Sequence, residues 1–121
     1  MSTPSQRPAI LFTAFEPSGD ALAAPIIERL RARVPGLEIY AWGGPLMEQA
    51  GATIVEESVA GAAMGLGAVK RARAVARHRR SIKRWLKQYR CLAHVPVDSP
   101  AANFPICRVT RKAGLKVIHL G

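Results

Sequence analysis

The 121-residue chain has few of the features that cross-link a protein, anchor it or bind a metal. Its three histidines are scattered, and its two cysteines have neither a C-x-x-C nor a zinc-ligand spacing, so we expect Cys91 and Cys107 to be reduced core thiols. The longest uncharged stretch is residues 58–69, whereas a helix that spans a bilayer needs about twenty apolar residues. The N-terminal apolar run is too short for a signal peptide. The sequence therefore predicts a cytoplasmic protein, soluble or peripheral to a membrane, with no metal and no cofactor.

Basic charge is abundant, but it is concentrated in one segment. Ten of the eighteen Lys and Arg residues lie between Lys70 and Arg90, where no acidic residue occurs. The other eight basic residues are balanced by the eight acidic residues of the chain. The net charge of +10 therefore belongs to one basic segment of an otherwise neutral domain.

The basic segment has the periodicity of an amphipathic helix. An apolar stripe contains Val75, Ile82, Leu86 and Tyr89, and Trp85 lies near its edge, where its ring is able to meet an interface. A basic ridge lies roughly opposite and contains Arg73, Arg77, Arg80, Arg84 and Lys87. Such a ridge suits an anionic membrane surface or a ligand phosphate. Nucleic acid is a weaker alternative because the helix offers few aromatic rings for base stacking, and a solvated outer face is the simplest one.

Strand-like and helix-like segments alternate along the chain. Branched apolar runs predict strands at residues 9–14, 37–42, 53–55, 91–97 and 115–120, although Pro96 is unusual inside a strand. Helical periodicity predicts helices from a cap at Ser18 or Asp20 to residue 35, and at 45–50, 66–89 and 102–113. This order is typical of a Rossmann-like α/β domain, with a parallel sheet of about five strands and flanking helices. The chain ends on the last predicted strand, so we expect it to be truncated.

Polar residues follow three of the predicted strands, where an open α/β sheet binds its ligands. Residues 16–20 place a glycine and free backbone amides at a helix N-terminus, which suits an anion or a sugar hydroxyl, but they match neither G-x-G-x-x-G nor a P-loop. Residues 43–45 read as a glycine turn. Asp98 ends an apolar strand, where its carboxylate suits either a general base or an Asx turn that caps the next helix.

Five motifs in order resemble the lipid-A-disaccharide synthase family, an inverting glycosyltransferase family of the two-domain GT-B type. A Glu-x-Ser-Gly-Asp loop is present as Glu16, Ser18, Gly19 and Asp20. A Gly-Pro-x-Met turn with a later glycine is present as Gly44, Pro45, Met47 and Gly51, and a Met-Gly pair follows as Met64 and Gly65. An Asp-x-Pro-x-x-Asn turn is present as Asp98, Pro100 and Asn103. The last motif, Lys-x-Gly-x-Lys-x-Ile-His, is present as Lys112, Gly114, Lys116, Ile118 and His119.

The resemblance implies transfer of a diacylglucosamine from UDP to a phosphorylated diacylglucosamine at the inner face of the cytoplasmic membrane. It implies that Asp98 is the catalytic base, and that the acceptor is bound by Glu16, Ser18, Gly19, Asp20 and Asn103. The basic ridge then holds the enzyme against anionic lipid or near the acceptor phosphate. Residues 1–121 correspond to the acceptor-side N-terminal domain, and the C-terminal nucleotide-sugar domain is absent, so we expect the chain alone to be inactive.

One motif departs from the family pattern. Ala101 and Ala102 stand where the Asp98 turn of the family carries a second aspartate and an aromatic residue, which suggests a different acyl or sugar preference. Two other interpretations remain open. The chain is a stand-alone basic module that binds anionic lipid or RNA without catalysis, or it is a remnant whose exposed edge strand promotes aggregation.

Overall fold

The computed structural model describes residues 8–65 and 67–121. It contains a single parallel sheet of five strands, as the alternating pattern predicts. The strands are β1 (Ala9–Thr13), β2 (Glu38–Gly43), β3 (Thr53–Glu57), β4 (Ala93–Pro96) and β5 (Lys116–Val117). The helices are α1 (Pro17–Arg33), α2 (Pro45–Gln49), α3 (Ala60–Ala63), α4 (Ala68–Trp85) and α5 (Pro100–Lys112). The Rossmann-like α/β fold class is therefore confirmed.

The strand order β3-β2-β1-β4-β5 places β1 at the centre of the sheet. The chain builds outward from β1 to β3, and then returns through α3 and α4 to start β4 on the other side of β1. Strand order therefore reverses between β1 and β4. In open α/β sheets, the crevice at this reversal, outside the carboxyl ends of the strands, is where ligands bind.

Side chains of β1 alternate between two cores, one on each face of the sheet. Phe12 packs with Ala23 and Ile27 of α1, whereas Leu11 packs with Ile82 of α4 and Ile106 of α5. Each of these residues is completely buried. Because successive strand residues point to opposite faces, the apolar run of β1 is covered by helices on both sides.

The last two strands are shorter than the sequence predicts, and Pro96 accounts for the early end of β5. The amide of Ile118 donates to the carbonyl of His94, the amide of Leu120 to that of Pro96, and the amide of Asp98 to that of Leu120. This alternation places position 96 where an N–H would face the carbonyl of Ile118, and proline has none. Regular pairing with β5 accordingly ends at Val117, and a single bridge joins Val97 to Leu120.

Several predicted helix boundaries were wrong. The basic helix ends at Trp85, four residues before the predicted end, and residues 86–88 form a turn. A short helix, α3, lies between the third predicted strand and the basic helix, where the sequence predicted no helix or strand. Helix α5 begins at Pro100 because proline is well suited to the first turn of a helix. The predicted first residue of the basic helix, Leu66, lies outside the described residues.

Candidate active site

A cleft of about 670 Å³ opens at the reversal of strand order. Its walls come from the loops after β1, β3 and β4, from α3, from one face of α4 and from the first turns of α5. Most of the lining side chains are small or apolar, and seven are polar: Glu16, Ser58, Arg71, His78, Arg79, Asp98 and Ser99. Both the volume and this mixed lining are typical of a small-molecule site.

Asp98 begins a strained turn at the edge of the cleft. Asp98 and Ser99 have φ angles of 54° and 44°, a left-handed conformation that costs non-glycine residues about 1 kcal/mol or more each. A backbone hydrogen bond holds the turn, since the Asp98 amide donates to the carbonyl of Leu120 at 2.9 Å. The N-cap of α5 is Ser99, with no side-chain cap bond, so the alternative reading of Asp98 as a helix cap was wrong.

Ser18 orients the Asp98 carboxylate. Its hydroxyl donates to Asp98 Oδ2 at 2.6 Å, across 80 positions of sequence. This contact depends on Gly19, because a Cβ added there would lie 3.0 Å from the carbonyl oxygen of Val97 and 3.1 Å from Cβ of Ala14. The N-terminus of α1 therefore packs tightly against the end of β4, and Ser18 reaches the carboxylate from this position.

Asp20 is buried and caps the second helix. Its side chain is attached to α1, but Oδ2 accepts from the amide of Leu46 at 3.1 Å and Oδ1 from the amide of Met47 at 2.9 Å, both in the first turn of α2. The prediction that Ser18 or Asp20 caps α1 was therefore wrong, since the N-cap is Glu16 and makes no side-chain cap bond. Gly44 packs directly on Asp20, because an added Cβ would lie 2.6 Å from Oδ2.

Asn103 belongs to a buried chain of polar side chains behind the Asp98 turn. Its amide donates to the carbonyl of Asp98 at 2.7 Å, and its Oδ1 accepts from the hydroxyl of Thr13 at 2.6 Å. Thr13 Oγ1 lies 2.7 Å from His94 Nε2, and His94 Nδ1 lies 2.8 Å from Thr110 Oγ1. Thr13 donates its hydrogen to Asn103, so His94 donates to Thr13 from Nε2. A neutral ring then accepts at Nδ1 from Thr110, whose hydroxyl also lies 3.2 Å from the carbonyl of Cys107.

Burial keeps His94 neutral. It is completely buried, and burial, together with the positive charges of His119 and Arg111, lowers the pKa of His94 from 6.5 to about 3. The neutral ring donates at one nitrogen and accepts at the other, as the chain from Thr110 to Asn103 requires. This chain fixes the backbone that carries Asp98.

Glu16 lines the cleft and forms an ion pair across it. Its Oε1 lies 2.8 Å from Nη2 of Arg71 on α4, with both side chains partly exposed. Its carbonyl accepts from the amides of Gly19 and Asp20 at 3.0 and 3.2 Å. The amides of Gly19 and Asp20, two of those predicted to be free for an anion at this helix N-terminus, are therefore used within the chain itself.

His78 lies on the wall of the cleft formed by α4. Its Nδ1 lies 2.8 Å from Oε1 of Glu56, which also accepts from Nε1 of Trp42 at 3.0 Å. Burial by itself raises the pKa of Glu56, but the hydrogen bonds from His78, Ser81 and Trp42 together lower it below its ordinary value. Glu56 is therefore an anion at neutral pH and fixes the imidazole ring.

The basic ridge lies away from the cleft. All five residues of the ridge are exposed, and none of them lines the cleft: Arg73, Arg77, Arg80, Arg84 and Lys87. The predicted apolar stripe does pack inward, since Ile82 is completely buried with Val75 and Leu86 around it. Trp85 is half-buried at the edge of the stripe, where its ring stacks on Tyr89 at 4.8 Å and meets Trp42 edge-on at 5.7 Å.

The structure thus brings together some of the predicted site residues and separates others. Glu16 and Asp98 line the cleft and Ser18 contacts Asp98, whereas Gly19, Asp20 and Asn103 are buried behind it. The sequence reasoning missed His78 as a member of the site. A signal was present, because position 78 falls within the buried stripe, three residues after Val75 and four before Ile82.

Within residues 8–65 and 67–121, no three His, Cys, Asp or Glu side chains are grouped as metal ligands would be. Over the same residues, no helix combines the length and the apolar character needed to cross a membrane.

Comparison with known proteins connects the site to a family. The sequence profile of the family described as lipid-A-disaccharide synthetase matches residues 10–120. The lipid-A-disaccharide synthase of Alcanivorax borkumensis is 33% identical over 120 residues, which are 98% of this chain and 31% of that enzyme. The Klebsiella pneumoniae synthase is 34% identical over 116 residues, which are 94% of this chain and 30% of that enzyme. The chain thus spans about a third of the length of these curated relatives.

A solved structure supports the fold independently. The C-terminal domain of a hydrogenase from Pyrococcus furiosus superposes with a TM-score of 0.69 at 8% identity, covering 98% of this chain and 95% of that domain. At this level of identity the likeness concerns the fold alone.

Proposed function

The chain belongs to the lipid-A-disaccharide synthase family, and on that premise we propose that it forms the acceptor side of a glycosyltransferase. The reaction is transfer of a diacylglucosamine from UDP to a hydroxyl of a phosphorylated diacylglucosamine. The observation that carries the proposal is the position of Asp98, a carboxylate at the carboxyl end of β4 that lines a cleft at the reversal of strand order.

Asp98 acts as the general base in this proposal. Its carboxylate accepts the proton of the acceptor hydroxyl while the hydroxyl oxygen forms a bond to the anomeric carbon of the donor. The bond from that carbon to the phosphate breaks, and UDP leaves with the electron pair. The hydrogen bond from Ser18 to Oδ2 leaves Oδ1 of Asp98 for the incoming hydroxyl.

The other predicted acceptor-binding residues have different roles in this proposal. Glu16 contacts the acceptor directly, because it lines the cleft. Ser18, Gly19 and Asn103 position Asp98 through the contacts described above. Asp20 is a structural cap for α2, since both of its carboxylate oxygens already accept backbone amides.

The apolar part of the cleft suits the acyl chains of a lipid acceptor. Ala68, Ala72 and Val75 line one wall, and Ala101 and Ala102 line another. Larger side chains at positions 101 and 102 would occupy space that these alanines leave open. We therefore attribute the divergence of this turn from the family pattern to a changed preference for the acceptor.

The chain covers about a third of its relatives' length, so we propose that a separate nucleotide-sugar domain, as in GT-B enzymes, completes the site. The test is a chimera in which residues 1–121 are joined to the part of the Alcanivorax borkumensis synthase that follows its matching segment. We expect the chimera to form the disaccharide from both lipid substrates and the chain alone to form none. A folded chimera that binds UDP but transfers no sugar would contradict the proposal.

We further propose that the basic ridge holds the protein at the anionic inner face of the cytoplasmic membrane. The ridge is exposed on the outer side of α4, and Met64 and Val69 near its N-terminus are 71% and 67% exposed. A basic residue near an anionic surface contributes about 1 kcal/mol, so several in one row are enough for peripheral binding.

Replacing Arg73, Arg77 and Arg80 by glutamine is expected to weaken binding to phosphatidylglycerol vesicles by about 100-fold. The matched control removes three exposed basic residues elsewhere, Arg108, Lys112 and Lys116, and is expected to change binding much less. Vesicle cosedimentation and RNA binding, each across a salt series, are measured for the two triple variants and the parent. Equal losses in the two triple variants, or salt-sensitive binding to RNA without binding to vesicles, would contradict the membrane role.

A further inference from the structure

The geometry points to a phosphoryl-binding subsite inside the cleft, formed by His78 and Arg79 with Arg71 beside them. This inference deepens the proposed function and rests on it, because it says where the cleft receives the phosphate of a substrate. It also differs from the sequence-based expectation, which gave a phosphate contact to the exposed ridge. The subsite lies on the opposite side of α4 from that ridge.

Helical spacing explains why these residues share a wall. Arg71, Val75, His78 and Arg79 are separated by four, three and one positions, which keeps them on one side of a helix with 3.6 residues per turn. All four line the cleft, whereas the adjacent residues Arg77 and Arg80 do not. One helix therefore divides its basic side chains between the cleft and the outer surface.

The ring of His78 is held with one nitrogen available. Nδ1 is engaged by Glu56 at 2.8 Å, and the other nitrogen lies on the far side of the imidazole. Among residues 8–65 and 67–121, Nε2 has no hydrogen-bond partner, and it is not among the buried polar atoms that lack one. Nε2 is thus reachable by a ligand in the cleft, on a ring whose orientation Glu56 fixes.

Arg79 supplies the positive charge for an anion beside His78, whereas the other charged side chains at this wall are already engaged, including Glu56 with Nδ1 of His78. The two carboxylates that line the cleft are engaged, Glu16 with Arg71 and Asp98 with Ser18. Arg79 has no ion pair among the described residues, although its guanidinium carries a full charge and is exposed. A phosphoryl group gains a charge-assisted hydrogen bond from Arg79 and, when the imidazole of His78 is protonated on both nitrogens, a second one from its Nε2. It is also able to share Arg71 with Glu16.

Phosphoryl groups reach this cleft from two sources in the proposed reaction, the phosphorylated acceptor and the diphosphate of the donor. Two soluble probes separate them: N-acetylglucosamine 1-phosphate for the acceptor and UDP for the donor. Unphosphorylated N-acetylglucosamine measures the contribution of the sugar alone. Titration calorimetry on the 121-residue chain gives each dissociation constant.

The discriminating pair of variants is Arg79→Ala and Arg80→Ala. The two residues are adjacent, exposed and equal in charge, but only Arg79 lines the cleft. We expect Arg79→Ala to weaken binding of the sugar phosphate about 10-fold, since one hydrogen bond to a charged group is lost. We expect Arg80→Ala to change the same dissociation constant less than about twofold. A loss confined to UDP would assign the subsite to the donor. Equal effects of the two variants on both probes would overturn the subsite.

A second readout reports on His78 without replacing it. In ¹⁵N spectra of the imidazole nitrogens, the Nε2 resonance of His78 is expected to shift on addition of the bound probe, while the resonances of exposed His119 stay unchanged. No shift at saturation would remove His78 from the subsite. If only Arg79→Ala weakens probe binding but the chimera transfers no sugar, the proposed glycosyltransferase function is refuted and the subsite stands. If the chimera transfers sugar but Arg79→Ala and Arg80→Ala affect probe binding equally, the subsite is refuted and the proposed function stands.

Discussion

Replacing Asp98 by asparagine is expected to slow disaccharide formation by the chimera at least about 100-fold, the lower end of what a general base contributes. Asparagine has nearly the shape of aspartate and accepts the hydroxyl of Ser18 through its own oxygen. It also tolerates the left-handed backbone at this position, where φ is 54°. The substitution therefore removes the proton acceptor and leaves the turn in place.

Controls separate chemistry from folding in this experiment. Thermal unfolding of Asp98→Asn is expected to match that of the parent within a few degrees, and binding of acceptor is expected to be retained. Ser18→Ala leaves the carboxylate but removes the bond that orients it, so we expect a smaller loss, about 10-fold, in kcat with little change in KM. Turnover of Asp98→Asn within about threefold of the parent would remove Asp98 from the role of base.

The elements of the fold were predictable because they depend on local patterns. The apolar run of β1 and the glycines and prolines between elements specify where strands and helices alternate. The stripe containing Ile82 predicts correctly which side of α4 is buried. The shortened β5 was not predicted, because it depends on the missing N–H of Pro96 in the neighbouring strand.

The candidate site was predictable only in part, because its side chains pair over long distances in sequence. Ser18 and Asp98 are 80 positions apart, and Thr13 and Asn103 are 90 apart. Their residue types alone suit a cap, a turn or a ligand equally well, so the sequence does not distinguish these roles. Asp20 illustrates this, since its partners are the amides of Leu46 and Met47 in α2 and not the helix it belongs to.

Acidification is expected to destabilise the protein through His94. The pKa of His94 is about 3 in the folded protein, whereas an ordinary histidine has a pKa of 6.5. Below pH 6.5, His94 is therefore protonated in the unfolded chain but stays unprotonated in the folded chain. The stability contributed by neutral His94 is thus fully present above pH 6.5 and is lost as the pH falls towards 3. The full loss is on the order of 5 kcal/mol, a large share of the stability of a small domain.

Urea unfolding at a series of pH values, for the parent chain and for His94→Gln, isolates this effect. Glutamine offers both a donor and an acceptor, as the neutral imidazole does, although its amide nitrogen carries a second N–H, and it does not titrate. We expect the parent to be the more stable protein at pH 7 and its advantage to shrink by about 1.4 kcal/mol for each pH unit below 6.5. His119→Gln, at an exposed position, is expected to keep most of the parent's slope.

The window from pH 6.5 to 5 is the informative one, because the pKa of Glu56 is lowered from 4.5 and its contribution is lost only in more acidic solution. A constant difference between parent and His94→Gln across this window would show that His94 is not a neutral member of the buried chain. If the difference shrinks as expected, the cause is proton uptake by the unfolded chain, because folded His94 stays neutral in this window and the chain from Thr110 to Asn103 stays intact. Asn103 holds the carbonyl of Asp98, so the folded turn that carries the proposed base loses this support only as the pH falls towards 3.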